Sequence, residues 1–365
     1  MLRLGLLYGG RSNEHAVSLC SAASVFSALN KNKYNIIPIG IDKDGKWYVQ
    51  DNPEIINDKD FGEILIIKKT GLCLINHFEN NNKLCLYNIK GDKNVEVDVV
   101  FPIVHGISGE DGKLQGLLEL SMTPFVGADI LGSVIGMDKD ISKRLLNEKN
   151  IPIVPWITVR KGDWELDSDN IISKALKELG LPLFIKPSNS GSSVGIIMVK
   201  EKEKIHQSIE FSFKFDNKIL IEKGIKCREI ECAVLGNNNI QVSIPGEIVP
   251  QHEYYSYEAK YLDPDGAKLR IPAKINSDIS DKIRQTASDA YKILNCSGLA
   301  RVDFFLDIDS NNFYLNEINT IPGFTKISMY PKLWEGSGLE YTDLLDKLIE
   351  LAIDKHSEKL KIMID

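Results

Sequence analysis

A carboxylate and a carboxamide, Glu317 and Asn319, stand two residues apart in the segment Tyr314-Leu315-Asn316-Glu317-Ile318-Asn319-Thr320-Ile321-Pro322-Gly323. Leu315 and Ile318, with Phe313 just before them, supply the apolar bulk of a short strand, and Pro322-Gly323 ends it. Successive strand side chains alternate between faces, so Glu317 and Asn319 point the same way. A second strand, Ala300 to Asp307, lies upstream across a turn at 308–312. With Asp307 opposite Phe313, the hairpin register places Asp303 opposite Glu317 and Arg301 opposite Asn319. Directly paired side chains lie about 5 Å apart, and like charges there are destabilising. A cation between Asp303 and Glu317 resolves the conflict. A hard divalent ion on the oxygens of Asp303, Glu317 and Asn319 suits the donors, because Mg2+ commonly binds through few carboxylates plus substrate phosphates. An exposed hairpin with a solvated polar face would carry the same residues; Arg301 and the Pro-Gly exit weigh towards the metal.

A second cluster points to phosphate. The apolar strand Leu183-Phe184-Ile185 ends in Lys186-Pro187, and the loop Ser188-Asn189-Ser190-Gly191-Ser192-Ser193-Val194-Gly195 leads into the strand Ile196 to Val199. Small residues let backbone N–H groups approach an anion, and serine hydroxyls add donors. No Gly-Lys-Ser/Thr follows and the loop leads to a strand, so this is not a P-loop. It fits a glycine-serine hairpin flap over phosphates with Lys186 as a point charge; a flexible surface hairpin is the alternative. An unpaired ammonium at the end of a buried strand would be costly.

Several further elements must position these groups. Leu2 to Tyr8 is a continuous apolar strand, followed by Gly9-Gly10 and a helix from about Glu14, with Ala16, Leu19, Cys20 and Ala23 at helical spacing. Strand, glycine turn and helix begin an open α/β sheet, whose ligands bind beyond the carboxyl ends of strands. Glu14 stands at that crevice, either complementing the helix dipole or countering a substrate amine. Asp98 to Val104 is another apolar strand, running into His105 and the loop 106–112, before a helix from Lys113 to Leu120. His105 is there as a hydrogen-bonded structural histidine or on the substrate side. Strands are also expected at Tyr34 to Ile41, Pro155 to Val159, Lys218 to Glu222 and Arg228 to Leu235. Helices are expected at Asp138 to Lys149, Ile171 to Leu179, Asp278 to Cys296 (capped by Ser277) and Tyr341 to Ile353. Glu222 to Ile225 is placed as an adenine hinge, with Ile225 packing on the base. The Tyr-rich stretch 250–267 is long and without clear structure, which suits a lid.

The 365 residues suffice for two or three domains. A formal net charge of -7 argues against nucleic-acid binding, which leaves a basic footprint. No apolar run is long enough for a membrane span, and Met1 to Tyr8 is expected to be a core strand instead of a signal peptide. The six cysteines form no C-x-x-C pair, so reduced, buried thiols in the cytoplasm are expected.

Taken in order, Gly9-Gly10-Arg11-Ser12-Asn13-Glu14, His105-Gly106 with Gly109-Glu110-Asp111-Gly112, Met137-Asp138-Lys139, Lys186-Pro187 through Gly195, Glu258-Ala259-Lys260-Tyr261, Arg301-Val302-Asp303 and Asn316 to Gly323 resemble the D-alanine–D-alanine ligases of the ATP-grasp superfamily. The resemblance covers nearly the whole chain. It implies an α/β protein with three domains: an N-terminal open α/β substrate domain at 1–127, a central ATP-grasp subdomain at 128–225, and a C-terminal subdomain at 226–365 with the metal site and the lid. It implies ATP-dependent joining of two D-alanines through a D-alanyl phosphate, for peptidoglycan precursors.

The implied catalytic set is Glu14, Ser192, Tyr261, Arg301, Gly323 and Ser328. Substrate would be bound by Glu14, His105, Lys260, Arg301, Gly323 and Ser328. ATP would be held by Lys139, Lys186, Ser192, Ser193, Glu222, Lys223, Ile225, Glu229, Lys260, Asn316 and Glu317, and metal by Asp303, Glu317 and Asn319. Within these sets, Arg301 and the Gly323 N–H would form an oxyanion hole, and Ser192 and Tyr261 would link to Glu14 and shut the lid. Two Mg2+ or Mn2+ ions and a homodimer also follow from the likeness, which leaves a monovalent-cation requirement open. Tyr261 stands where ester-forming relatives typically carry histidine, which points to an amide product. A ligase using D-serine or D-lactate as second substrate, or a nucleotide-sensing pseudoenzyme, would share much of the pattern; the intact Arg301, Asp303, Glu317 and Asn319 speak against the last.

Overall fold

The structure, a computed structural model, describes residues 1–70, 72–76, 84–88, 94–250 and 267–362. Three main sheets appear among these residues. The first is seven-stranded, in the order Asn94–Val97, Leu84–Asn88, Leu72–Asn76, Trp47–Val49, Tyr34–Ile41, Leu2–Gly9, Val99–Ile103. Leu2–Gly9 runs parallel to both neighbours, and its residues from Leu4 onward are buried. That burial is why this strand is apolar throughout instead of alternating. Its open end carries Gly9, Gly10 and the helix His15–Ala28; Val99–Ile103 delivers His105 to the same end.

The second sheet has the order Trp156–Arg160, Lys218–Lys223, Leu183–Pro187, Ile197–Val199, and pairs antiparallel throughout. Helices Lys161–Leu166, Ser168–Glu178 and Ile205–Ser212 give it a core of its own around Trp164, Ala175, Ile185 and Ile209. The third sheet runs Ala267–Arg270, Gly246–Pro250, Cys227–Gly236, Gly298–Asp307, Phe313–Asn319, with Gln241–Val242 off the path. The helix Ser277–Ile293 covers one face through Ile283, Ala287, Ala290 and Tyr291. Its cap is Asn276, whose side chain accepts from the Ile279 N–H, and not Ser277. The helix begins one residue earlier than its apolar spacing suggests, and asparagine caps as well as serine.

The closing helix Tyr341–Lys359 is longer than its expected span and binds two sheets together. Its Leu344, Leu345, Leu348 and Ile349 share one core with Leu4, Tyr8 and Phe101 of the first sheet and Leu235 and Leu299 of the third. Motion between these two sheets would expose that shared core to water, at roughly 25 cal/mol per Å2 of apolar surface.

Candidate active site

The hairpin of Gly298–Asp307 and Phe313–Asn319 pairs Arg301 with Asn319, and Asp303 with Glu317, as expected. The register slips one residue beyond Asp303, where Phe304 pairs with Leu315 and Leu306 with Phe313, so Asp307 does not face Phe313. Asn316 is the extra residue of a β-bulge. Bulges re-aim side chains beside active sites, and here Asn316 accepts from Lys186 Nζ at 3.4 Å. Sequence alternation alone would have turned Asn316 to the opposite face from Glu317.

The charge conflict between Asp303 and Glu317 is met by protein cations. Arg301 forks onto Asp303 at 2.8 and 2.7 Å and contacts Glu231 at 2.9 Å, while Lys139 Nζ lies 3.2 Å from Glu317. Among the described residues no group of three or more His, Cys, Asp and Glu side chains is placed to hold a metal. The donor set still fits a hard divalent ion: two carboxylates in direct register and Asn319 two residues along offer only oxygens, and phosphate oxygens would complete such a shell. Asn319 Oδ1 already accepts from the Ile321 N–H at 3.1 Å, which fixes its orientation.

The flap and the helix Lys139–Glu148 are tied together at their starts. The Lys139 N–H donates to Ser188 O at 3.0 Å, and Lys139 Nζ donates to Ser190 O at 2.7 Å. Ser188 Oγ donates to Asp138 at 2.7 Å, and Lys218 Nζ donates to both Asp138 oxygens at 2.8 and 2.7 Å. Burial alone would raise the Asp138 carboxyl, but Lys218 and Ser188 hold it below its ordinary value. Ser192 and Ser193 have φ of +50° and +60°, a left-handed backbone that non-glycine residues rarely adopt and that surrounding structure must hold. Ser192 Oγ donates to Glu14 Oε1, joining the flap to the first sheet's helix. Ser193 and Glu229 are half-buried, as is Ile225, and Lys223 is exposed.

At the expected adenine hinge, the Glu222 side chain is held by two lysines. It is 2% exposed and lies between Lys143 Nζ at 3.0 Å and Lys186 Nζ at 2.7 Å. Burial would raise its carboxyl, but the two ammonium groups outweigh that and hold it below its ordinary value. Lys143 was not singled out from the sequence; its signal was its position one helical turn after Lys139, on the same face.

Glu14 sits at the N-cap of His15–Ala28 without a capping bond from its side chain. A Cβ on Gly106 would collide with its carboxylate, so glycine there makes room for it. Glu110 accepts from the Gly106 N–H at 2.9 Å, and burial, then the Glu14 charge, push its carboxyl well above the ordinary range. His105 is 3% exposed, and burial lowers its imidazole against the pull of Glu14 and the Ile321 carbonyl. It contacts Ile321 O at 3.0 Å and Ser21 Oγ at 3.2 Å. Ser328 Oγ stands over Gly323, where a Cβ would come within 2.9 Å of it, and accepts from the Thr325 N–H at 3.0 Å. Among the described residues the Gly323 N–H has no partner, although the Ile321 and Phe324 N–H groups on either side do. Residues 251–266, with Lys260 and Tyr261, lie outside the described residues.

The site therefore gathers the Glu14 carboxylate, a serine-glycine loop beside Lys139 and Lys186, and an acidic hairpin, all from different parts of the chain. Comparison with known proteins bears on the family of the chain. Residues 3–128 match the family described as D-ala D-ala ligase N-terminus, and residues 145–350 match D-ala D-ala ligase C-terminus. The chain is 48% identical to the D-alanine–D-alanine ligase of Oceanobacillus iheyensis over 97% of this chain and 96% of the relative. It is 46% identical to D-alanine–D-alanine ligase A of Escherichia coli K12 over 98% and 97%. Among solved structures, the D-alanine-D-alanine ligase from Coxiella burnetii superposes with a TM-score of 0.83 at 36% identity, covering 99% of this chain and 98% of that one. The VanG D-Ala:D-Ser ligase from Enterococcus faecalis gives 0.80 at 35%, covering 96% and 99%. With both halves matched and nearly the full length shared, the chain belongs to the D-alanine–D-alanine ligase family.

Proposed function

We propose that this enzyme joins two D-alanine molecules into D-alanyl-D-alanine at the expense of ATP, supplying a peptidoglycan precursor. The observation that carries this reading is the hydrogen bond from Ser192 to Glu14. It sets a carboxylate suited to a substrate ammonium group against the phosphate-binding loop, so the first substrate's own carboxylate can reach a γ-phosphate.

Glu14 holds the first D-alanine by its ammonium group. The substrate carboxylate attacks the γ-phosphate, ADP leaves, and an acyl phosphate forms. Lys139 and Lys186 stabilise the phosphate charge, and the flap N–H groups close over it. Positioning and charge stabilisation carry most of phosphoryl transfer. A divalent cation held by Asp303, Glu317 and Asn319 supplies charge neutralisation on the phosphate oxygens when bound. The second D-alanine, its carboxylate at Ser328 and Lys260, attacks the acyl carbon as a free amine. Arg301 and the Gly323 N–H receive the oxyanion, phosphate leaves, and the amide remains. A lid would keep water from the acyl phosphate; the resemblance gives that part to the stretch 250–267 with Tyr261, of which 251–266 lie outside the described residues. Adenine lies beside Lys223, Ile225 and Glu229, with Glu222 acting through Lys186.

The working form is a cytoplasmic homodimer that uses two Mg2+ or Mn2+ ions. Its units are 1–127, 128–225 and 226–365. A D-alanyl-D-serine product is the second reading, favoured by the likeness to a D-Ala:D-Ser ligase; the higher identity of the D-alanine–D-alanine relatives favours the first. Product identification with ATP, Mg2+ and a mixture of D-alanine, D-serine and D-lactate tests both. D-alanyl-D-alanine with equal ADP and phosphate is expected; a predominant mixed product, or ADP release that ignores D-alanine, would overturn it.

A further inference from the structure

Ser21 lies on the inner face of the helix His15–Ala28, fully buried, and no charge or motif marks it. Its hydroxyl is nevertheless one link in a chain whose protons can all be assigned. Ile321 O can only accept, so His105 Nδ1, 3.0 Å away, carries a proton. The buried imidazole is held neutral, since burial lowers its proton affinity, so Nε2 is an acceptor. Ser21 Oγ, 3.2 Å from Nε2, is the donor to it. The lone pairs of that oxygen remain for the Phe324 N–H, which donates to it at 3.3 Å. The order is Phe324 N–H to Ser21 Oγ–H to His105 Nε2, then His105 Nδ1–H to Ile321 O.

This chain grips the loop 321–324 on both sides of Gly323. Asn319 holds the Ile321 N–H and Tyr341 donates to Phe324 O at 2.6 Å. Proline at 322 has no N–H to offer. Among the described residues every backbone donor of the loop is thus engaged except that of Gly323. The loop belongs to the third sheet, whereas Ser21 and His105 belong to the first.

We infer that Ser21 is a positioning residue for the amide-forming step: through His105 and the Phe324 N–H it fixes the loop so that the Gly323 N–H alone faces the developing oxyanion. This rests on the ligase reading, in which Gly323 supplies that donor. An aimed donor acts on the transition state more than on the bound substrate, so its misplacement lowers kcat and leaves ground-state binding alone.

The test compares Ser21→Ala and Ser21→Cys with the wild-type chain, using ATP, Mg2+ and D-alanine, and measures affinity for a phosphinate dipeptide that mimics the tetrahedral intermediate. Ser21→Ala is expected to lower kcat by about 10–100-fold, in the range that small displacements of an aimed group produce. Phosphinate affinity should fall by a similar factor, with the KM for ATP unchanged. Ser21→Cys, which keeps the volume and a weak S–H donor, should recover part of both losses. A kcat for Ser21→Ala within about threefold of wild type would overturn the inference. So would a loss shared equally by kcat, ATP affinity and thermal stability in both variants, which marks a merely structural serine. Wild-type chain that makes no dipeptide would defeat the ligase reading instead, so the two failures are distinct.

Discussion

Glu222 and Glu317 are both strand glutamates beside lysines, and the molecule uses them in opposite ways. Glu222 is enclosed by Lys143 and Lys186 and is 2% exposed. Among the described residues Glu317 meets Lys139 at 3.2 Å, and its side chain is a third exposed. The first is a fixed counter-charge that lets two lysines stay buried near the phosphate site. The second stays partly open to solvent, as the proposed metal-binding role requires. Residue type is the same; access to solvent separates the two carboxylates.

That contrast breaks if the two behave alike on substitution. Glu222→Gln leaves two buried ammonium groups short of a charge, and breaking a buried pair costs about 3–5 kcal/mol. Urea unfolding should show a loss of that size. The pH dependence has a definite sign. Glu222 titrates below its ordinary value of 4.5, so its contribution is fully present above 4.5 and is lost as pH falls through the lower folded value. The gap between wild type and Glu222→Gln should hold from neutral pH down to 4.5 and close only below it. A gap that closes well above 4.5 would mean the buried pairing is not what stabilises the carboxylate.

Glu317→Gln should behave the other way round. Turnover should drop about 100–1,000-fold, comparable to removing one preorganised electrostatic contact, while the unfolding midpoint barely moves. Higher Mg2+ should recover part of the loss if the defect is metal affinity. A variant that is unstable and only modestly slowed would place Glu317 with Glu222.

The smallest effect concerns the flap. Ser192→Ala removes a hydroxyl donating to the Glu14 carboxylate, and hydrogen bonds to charged groups contribute about 1.5–3 kcal/mol. kcat/KM for D-alanine should fall about 10–100-fold, with little change in the affinity for ADP. An equal loss of ADP affinity would show that the hydroxyl serves the nucleotide and not the link between flap and substrate.

Much of this was legible without coordinates because it depended on local periodicity. Alternation put Glu317 and Asn319 on one face, and the hairpin register paired Asp303 with Glu317 on the near side of the bulge. The strand-to-glycine transitions at Gly9-Gly10 and His105-Gly106 located the crevice of the first sheet. The bulge at Asn316 was not legible, because one unpaired residue leaves no trace in apolar spacing. Helix Ile130–Met137 falls in a stretch that looks like a passage between domains. Asn276 and Ser277 are both good caps, so composition could not choose between them.

The chemistry available to this chain was set by its sequence: oxygen donors on a hairpin, lysines at a strand end and a helix start, and a serine-glycine loop. Residue types and short-range spacing suffice for that, since both are local properties. Tertiary structure alone decided which charges are used up. Glu222 is spent on Lys143 and Lys186, Arg301 meets Glu231 on the neighbouring strand, and Ser21 reaches the Phe324 N–H more than 300 residues away. Such pairings join distant segments, and their energies depend on how deeply each partner is removed from water. No one-dimensional pattern carries that burial; it exists only once the sheets have closed on each other.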